Sequence, residues 1–279
     1  MTQAPQKMAI ISGSGSLPRL LLDNCRRRAQ DCVLVSFQDA PGDVDPPGPP
    51  LIRAGFERLG ALFDALKEAR VSAVVFAGGM TRPRLDPAKF DEKTRQIAPR
   101  LFSQMGQGDD ALLRQVAAVF EAEGFSVLAP HQLCPDLLAP RGVLGTHEPQ
   151  QADRADISRA QALAQALGAL DVGQGAVVAQ GLCLGLETLQ GTDRLLEFVA
   201  RTAAGLRPDP QGGGGVLYKG PKPGQDLRMD MPTIGPPTVE NAARAGLAGI
   251  AVAAGAVLIL ERDRTIQAAD RLGLFLFGA

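Results

Sequence analysis

Short apolar runs alternate with helical patterns over the first 130 residues of the chain. The runs have the length of strands, and the segments between them repeat their apolar residues every three to four positions, as helices do. This βαβ alternation predicts a parallel sheet covered by helices, in an α/β domain. The predicted strands are MAIIS (8–12), CVLVSF (32–37), SAVVFAG (72–78) and FSVLA (125–129), and the predicted helices are 17–29, 57–69 and 109–123.

The apolar period is lost in the stretch HQLCPDLLAPRGVLGTHEP (131–149), where prolines and glycines collect. This composition is typical of a connection between domains. A chain of 279 residues is also long enough for two domains. We therefore predict an N-terminal domain over residues 1–135 and a C-terminal domain over residues 136–279.

The C-terminal half predicts an α+β domain whose topology the pattern does not determine. Helices are expected over 152–170 and from Thr192, and strands are expected within 176–187 and at VLYK. The stretch AGLAGIAVAAGAVLIL is shorter than the roughly 20 residues that a membrane-spanning helix needs. It predicts a buried helix over 242–254, ended by Gly255 and followed by a strand.

Composition narrows the class of partner. The 29 basic and 30 acidic residues nearly cancel, so no overall field favours nucleic acid. The four cysteines contain no CxxC pair, which favours buried reduced thiols in a cytoplasmic protein over disulfides or a zinc site. The apolar run near the N-terminus is too short for a signal peptide and leads directly into a predicted strand.

Two glycine-rich loops follow predicted strands, SGSGSLP (12–18) and FAGGMTRPR (76–84). In a parallel sheet both loops lie at the carboxyl edge, where ligands bind. Glycines allow backbone N–H groups to approach an anion at a helix N-terminus, although each loop could also be only a tight turn. The candidate ligand-binding residues are Gly13, Ser14, Gly15, Gly78 and Gly79.

The first loop is a poor dinucleotide fingerprint. Pro18 stands where a third glycine is expected, and the acidic candidate Asp39 is displaced beyond the second strand. A P-loop lysine, a G-x-S-x-G elbow and an H-E-x-x-H helix are also missing from the sequence. Hydrolysis through a covalent serine therefore has no signature here.

The segment YKGPKPGQDLRMDMP (218–232) concentrates charge in an otherwise lysine-poor half of the chain. Lys219 ends an apolar strand, and glycines and prolines hold Lys222 in a short, stiff loop close by. With Arg228 and two aspartates, this set suits a diphosphate ester, because cations neutralise phosphoryl oxygens and carboxylates bind Mg²⁺. A solvated edge strand is the simpler alternative for the charged face.

Further carboxylates come from the segment LGLETLQGTDR. Glu187 ends an apolar strand, and Asp193 follows at a helix start that Thr192 can cap. A carboxylate at a helix N-terminus often only interacts with the helix dipole, and this role is enough to explain Asp193 by itself. Glu187, at the end of a buried strand, has the position of a site residue.

Spacing divides the acidic residues. On an extended strand Asp226, Arg228 and Asp230 share one face, but residues four apart are about 13 Å apart. The two aspartates should therefore not hold one ion. We pair Asp226 with Glu187 or Asp193 as oxygen ligands, and we assign Asp230 to fixing Arg228 or a lysine.

The segments that contain these candidate residues resemble a known family. The run GGVLYKGPKPGQDLRMDMPTIGPPTVENAARAGLAGIAV, with LETLQGTDRLL and GQGDDALLR upstream, is similar to the LpxI family of UDP-2,3-diacylglucosamine pyrophosphatases of lipid A biosynthesis. The resemblance extends over nearly the whole chain and includes the opening strand with its glycine-rich loop. One departure is SGSGSLP, where relatives tend to have an all-glycine turn, so the contacts of Ser14 do not transfer.

The resemblance implies a Rossmann-like N-terminal domain, a C-terminal domain of unusual fold and a ligand between them. It also implies a dimeric, cytoplasmic enzyme, peripheral to the inner membrane, that uses Mg²⁺ or Mn²⁺ to split UDP-2,3-diacylglucosamine into UMP and 2,3-diacylglucosamine 1-phosphate (lipid X). In the family, water is thought to attack the phosphorus on the sugar side. The candidate set is Asp226, Lys219, Lys222 and Arg228 as catalytic residues, Gly13, Ser14, Gly15, Gly78, Gly79, Thr192 and Asp230 as substrate-binding residues, and Asp226, Glu187 and Asp193 as metal ligands.

Two other classes stay open from the residues alone. A nicotinamide-dependent oxidoreductase would depend on the predicted parallel sheet and its GSG loop. A lipid-binding module without catalysis would depend on the apolar content. Release of UMP from the lipid substrate distinguishes both from the hydrolase.

Overall fold

The computed structural model describes residues 7–38, 49–80, 83–104, 109–203, 205–209 and 212–279. Its internal contacts divide the chain into two compact units. The first unit comprises Met1–Pro135 and Arg228–Asp230, and the second comprises Asp136–Leu227 and Met231–Ala279. The segment Arg228–Asp230 thus belongs to the first unit although its neighbours in sequence belong to the second.

The first unit contains a five-stranded sheet in the order β3-β2-β1-β4-β5, and all of its pairs are parallel. The α/β class with a parallel sheet is therefore confirmed. The strands are β1 (Met8–Ser12), β2 (Cys32–Phe37), β3 (Leu51–Ala54), β4 (Ala73–Ala77) and β5 (Ser126–Leu128). The helices are α1 (Leu17–Arg27), α2 (Leu59–Glu68), α3 (Glu92–Gln104), α4 (Asp109–Ala122) and α5 (Pro130–Leu133), with a 3-10 turn at Pro87–Lys89.

The pairing of the central strand β1 explains why its first four residues are all apolar. It pairs with β2 on one side and β4 on the other, and all five of its residues are buried. A strand covered on both faces needs apolar side chains at every position rather than at alternate ones. Around the sheet, Phe63, Phe76 and Phe125 pack on Phe120 in the core of this unit.

The sequence pattern does not predict β3, α3 or the short helix α5 of the first unit. Helix α3 follows Asp91, whose carboxylate accepts the backbone N–H of Thr94 at 2.7 Å and that of Ala61 at 3.2 Å. Burial alone would raise the pKa of Asp91, but these hydrogen bonds lower it overall. The capping aspartate was a usable signal for a helix start.

The two glycine-rich loops of the first unit lie at the carboxyl edge of β1 and β4, as predicted, and they are also hydrogen-bonded to each other. Ser14 N donates to Gly79 O at 2.8 Å, and Gly79 N donates back to Ser14 O at 3.1 Å. This approach leaves no room for a side chain, since a Cβ on Gly13 would lie 2.3 Å from Gly79 O. Gly78 has a φ of +89°, and its Cβ would lie 2.3 Å from Ser14 O.

The second unit contains a six-stranded mixed sheet in the order β6-β13-β11-β9-β7-β8 and a separate pair, β10-β12. In the large sheet β9, β11 and β13 are parallel, and β6, β7 and β8 pair antiparallel to their neighbours. The strands are β6 (Gly142–Val143), β7 (Gly175–Ala179), β8 (Leu182–Leu186), β9 (Val216–Lys219), β10 (Thr233–Ile234), β11 (Gly249–Val252), β12 (Leu258–Ile259) and β13 (Phe275–Gly278). The helices are α6 (Gln151–Ala169), α7 (Gly191–Thr202), α8 (Pro236–Arg244) and α9 (Arg262–Leu272), and a 3-10 turn occupies Pro135–Leu137.

The predicted helix over 242–254 is wrong. Helix α8 ends at Arg244, and residues 249–252 form β11, which is fully buried between β9 and β13. Gly249 permits the strand, because a Cβ there would lie 2.4 Å from the ring of Phe275 on β13. The small residues serve close strand packing rather than helix formation.

The extended strand expected over 226–230 is also absent. Residues 227–229 form a turn, so the alternation of charged and apolar positions there is not a strand face. Met229 is buried in the core of the first unit, and Met231 is buried in the second.

A tight hairpin joins β7 to β8 and positions the edge of the second sheet. Gln180 and Gly181 both have positive φ, at 53° and 80°, as a two-residue hairpin turn requires. Their N–H groups donate to the two carboxylate oxygens of buried Asp156 on α6, at 2.8 and 2.7 Å. The turn chemistry and the helix together fix the register of β8 against β7.

All four cysteines are free thiols, but only Cys25 and Cys134 are buried. Cys32 is half-buried and Cys183 is exposed, so the expectation of four buried thiols is half correct. A hydrogen bond between the thiols of Cys25 and Cys32 raises the pKa of Cys25, as does burial, and the same bond lowers the pKa of Cys32.

Within the described residues, no helix is long and apolar enough to cross a membrane.

The approach of the two glycine loops gives a stability prediction. We expect Gly13→Ala to destabilise the protein by about 1–3 kcal/mol, because the new Cβ must push back the Gly79 carbonyl. Gly55→Ala is the matched control, since a Cβ there would meet its nearest atom only at 3.9 Å. Urea unfolding of both variants checks this, and equal midpoints would contradict the loop packing.

Candidate functional site

Three residues form one row across three strands of the second sheet. Gly175, the first residue of β7, is paired with Lys219, the last residue of β9. Glu187 follows β8 directly, and its backbone N–H donates to Gly175 O at 2.8 Å. The strand register therefore places a carboxylate, a glycine and an ammonium side by side at one end of the sheet.

The side chains of this row are joined by a third polar residue. Lys219 Nζ donates to Thr192 Oγ1 at 2.5 Å, and Thr192 Oγ1 donates to Glu187 Oε2 at 2.6 Å. The direct distance from Lys219 Nζ to Glu187 Oε2 is 3.9 Å. The residues are 5–8% exposed, so this is a buried polar chain and not a surface ion pair.

Glycines make the space that the Glu187 carboxylate occupies. A Cβ on Gly175 would lie 2.7 Å from Glu187 Oε2, and a Cβ on Gly173 would lie 2.0 Å from Glu187 O. Any side chain at 175 would therefore displace the carboxylate from the row. Beside Lys219, burial raises the pKa of the Tyr218 hydroxyl, which is hydrogen-bonded to Gln161.

Lys222 lies in the loop that leaves β9. Its backbone N–H donates to Gln225 Oε1 at 2.9 Å, and Gln225 N returns a bond to Lys222 O at 3.1 Å, closing a turn around Pro223 and Gly224. Lys222 Nζ contacts Asp171 Oδ1 at 2.5 Å, and the two side chains are 14% and 27% exposed. The lysine is thus held by a compact loop and a partly buried carboxylate.

Gln174 connects the row to this loop. Its backbone oxygen accepts the N–H of Gly220 at 3.1 Å. Its side-chain Oε1 is buried and has no hydrogen-bond partner, and it is the one such side-chain atom found in the part of the chain that the structure describes. A buried acceptor without a donor is unfavourable by itself, and it marks a position where a ligand or water can donate.

The acidic and basic residues of the segment after Lys222 divide between the units. Asp226 is half-buried in the second unit. Arg228 and Asp230 belong to the first unit, where Arg228 Nη1 forms an ion pair with Glu121 Oε1 at 2.6 Å. The sequence assigns Asp230 to fixing Arg228 or a lysine, which stays a prediction, and it gives no signal for Glu121.

The three predicted metal ligands have other partners or neighbours. Glu187 accepts from Thr192, and Asp193 is exposed and accepts from Asn241 Nδ2 at 3.0 Å. Across the described ranges, no group of three or more His, Cys, Asp or Glu side chains could hold a metal ion. Mg²⁺ commonly needs only one or two carboxylates in addition to substrate phosphates, so Asp226 alone is a compatible ligand.

The candidate residues of the first unit lie where the sequence predicted. Gly13, Ser14 and Gly15 follow β1, and Gly78 and Gly79 follow β4. Ser14 is exposed, and its Oγ donates to Gly79 O at 3.1 Å, so its hydroxyl is engaged within the loop pair. Arg82 and most of the GQGDD segment lie outside the described residues.

Several residues of the site were missed from the sequence. The G-x-G pattern of DVGQGAVVA, directly before a strand, was an available signal for close approach at Gly173 and Gly175. Asp171 had a weaker signal, because only the structure shows its positive φ of 55° and its contact with Lys222. Gln174 and Glu121 had none.

Comparison with known proteins identifies relatives of this chain. The model of the LpxI N-terminal domain matches residues 7–137, and that of the LpxI C-terminal domain matches residues 140–277. A curated protein of Caulobacter vibrioides, named UDP-2,3-diacylglucosamine pyrophosphatase LpxI, is 40% identical over 98% of this chain and 97% of its own length. A solved structure, CobK precorrin-6A reductase, aligns over 96% of this chain and 85% of its own, at 16% identity and a TM-score of 0.34, which is too low to carry an argument. On the two domain models and the Caulobacter relative, the chain belongs to the LpxI family.

Proposed function

We propose that this protein hydrolyses the diphosphate of UDP-2,3-diacylglucosamine in lipid A biosynthesis. Water adds to one phosphorus, the anhydride P–O bond breaks, and the products are UMP and 2,3-diacylglucosamine 1-phosphate. The observation that carries the proposal is the Caulobacter relative of that name, which is 40% identical over 98% of this chain. Both domain models of the family support it.

The charges of the second unit are suited to a diphosphate. Lys219 and Lys222 lie at the end of β9 and in the loop that follows it, and both are held by other side chains. Cations fixed before the substrate arrives stabilise negative charge that develops in the transition state without further reorganisation. We propose that these two lysines contact the phosphoryl oxygens, and we keep Arg228 as a further catalytic candidate that the family resemblance implies.

We assign Asp226 to the metal ion and the attacking water. A bound Mg²⁺ would neutralise phosphoryl oxygens and stabilise the charge that develops on them. The half-buried Asp226 would hold it together with substrate oxygens, with Asp193 as the further expected ligand. The glycine-rich loops at Gly13–Gly15 and Gly78–Gly79 would contribute to substrate binding.

The substrate also determines where the enzyme works. Its two acyl chains keep it in a lipid bilayer, because each buried methylene adds about 0.8 kcal/mol to membrane binding. We therefore propose a protein peripheral to the cytoplasmic face of the inner membrane. We propose a homodimer, as the family resemblance implies.

The first test is the reaction and its metal requirement. We expect the purified protein to release UMP from UDP-2,3-diacylglucosamine in the presence of Mg²⁺ or Mn²⁺ and to stop in EDTA, because hard oxygen ligands favour these ions. Chromatographic separation and quantification of UMP measure this release. Full turnover in chelator would exclude the metal assignment, and bound lipid without UMP release would favour a binding module.

The second test compares the lysine loop with the glycine loop. We expect Lys222→Ala to reduce turnover by about a hundredfold or more, the scale of losing a positioned charge at the reacting group. Ser14→Ala should have a much smaller effect, since the Ser14 hydroxyl already bonds to Gly79. Comparable losses in kcat for the two variants would place the phosphates elsewhere.

The third test concerns Asp226. We expect Asp226→Ala to lower kcat by roughly a hundredfold or more while substrate affinity is kept or improved, because the lysines lose a competing negative charge. Mass spectrometry of the purified variant should then find intact UDP-linked lipid. Asp64→Ala, an exposed aspartate of α2, is the control. Normal turnover, or joint loss of lipid and thermal stability, would make Asp226 a structural residue.

A further inference from the structure

We propose that Glu187 is a positioning residue for Lys219 rather than a metal ligand, acting through the Thr192 hydroxyl across the gap that Gly175 leaves. The inference rests on the proposed function only in taking Lys219 as a phosphate-binding cation. It adds to that function by assigning the buried polar chain the role of positioning the Lys219 ammonium. The geometry of the hydrogen bonds that join Lys219, Thr192 and Glu187 does not depend on the identity of the substrate.

The hydrogen bonds can run in only one direction. An ammonium has donors and no acceptor, and an ionised carboxylate has acceptors and no donor. The Thr192 hydroxyl has one proton, so it must accept from Lys219 Nζ and donate to Glu187 Oε2, over 2.5 and 2.6 Å. Both ends of the chain thereby fix the rotation of the Lys219 ammonium.

Burial makes this arrangement necessary. Lys219 is 7% exposed and Glu187 is 5% exposed, and a buried charge without a partner is strongly unfavourable. At 3.9 Å the carboxylate offsets the ammonium without occupying it by a direct bond. The donors of Nζ that Thr192 does not use remain for an incoming anion.

The same geometry opposes a metal role for Glu187. A divalent cation on Oε2 would lie close to an ammonium only 3.9 Å from that oxygen, and like charges at such distances repel strongly in a buried site. It would also compete with the Thr192 hydroxyl for the same oxygen. The expected metal-ligand set therefore loses Glu187 and keeps Asp226.

Gly175 is the permissive residue of the row. It lies between Glu187 and Lys219 in the strand register. Because it has no side chain, it leaves the space between the Glu187 carboxylate and the Lys219 ammonium open. A Cβ would come within 2.7 Å of Glu187 Oε2, while Gly175 has no positive φ that alanine could not adopt. The glycine is thus required by the carboxylate and not by the backbone.

A double-mutant cycle on the full-length protein in EDTA tests the pairing without metal or substrate. Glu187→Gln and Lys219→Met should each lower the folding equilibrium constant by about tenfold or more, because each leaves one buried charge unpaired. The double variant should lose much less than the product of the two effects. Urea unfolding measures all three.

An exposed pair on α7 gives the matched control. Arg194 and Glu197 are joined at 2.6 Å, but their side chains are 67% and 47% exposed. The cycle of Arg194→Met and Glu197→Gln should be additive within about twofold in the folding equilibrium constant. If the Glu187–Lys219 cycle is equally additive, the proposed positioning is wrong.

The metal dependence of activity then separates the two roles of Glu187. In the Glu187→Gln variant we expect kcat to fall at least about tenfold, with the Mg²⁺ concentration for half-maximal UMP release unchanged within about twofold. Thr192→Ser should keep most of the turnover and Thr192→Val should match Glu187→Gln, since serine retains the hydroxyl that joins the two charges. A several-fold increase in the required Mg²⁺ would make Glu187 a metal ligand.

A size exchange tests the gap. Gly175→Ala should destabilise the parent, and the same change in a Glu187→Ala background should cost clearly less, because the clashing carboxylate is gone. Equal costs in the two backgrounds would overturn the role of Gly175. If no variant or parent releases UMP, the proposed function fails, whereas the unfolding cycles still decide whether Glu187 positions Lys219.

Discussion

The second unit depends on a charge that the sheet buries at its own end. Lys219 completes β9 in the middle of a mixed sheet, where its neighbours β7 and β11 cover it on both sides. An ammonium can remain there only if an acceptor and an opposite charge are built in beside it. Thr192 supplies the first and Glu187 the second, and they require the β7–β8 hairpin and the start of α7 to meet at this point.

Much of the first unit was predictable because its rules are local. A strand covered on both faces is apolar throughout, so β1 and β2 were bounded correctly from MAIIS and CVLVSF alone. Glycines that follow such strands then lie at one edge of the sheet by topology. β3 was missed because its four residues, of mixed polarity, follow a proline-rich stretch. Its place beside β2 comes from pairing, which a local pattern does not contain.

The second unit was less predictable because it is held by partners distant in sequence. Ala and Gly over 242–254 have the composition of a buried helix, yet Gly249 pairs with Phe275 of β13 in a strand that has no room for a side chain at 249. The residue types of the site were recognisable, since Lys219, Lys222 and Glu187 were all selected from the sequence. Their pairing was not, because Asp171 and Gly175 are brought to the lysines by the fold. Tertiary context decides both outcomes.

The two lysines differ in how their charge is compensated, and the difference has a chemical meaning. Lys219 has a buried internal counter-ion beside it, so its charge is compensated before any anion binds. Lys222 forms its ion pair with Asp171 at a site where the carboxylate is 27% exposed, so water or a phosphate can replace that partner. One cation is therefore preorganised, and the other can exchange an internal anion for an external one. In the proposed hydrolysis the preorganised cation would hold the reacting phosphoryl group, and the exchangeable cation would let the substrate enter and the products leave.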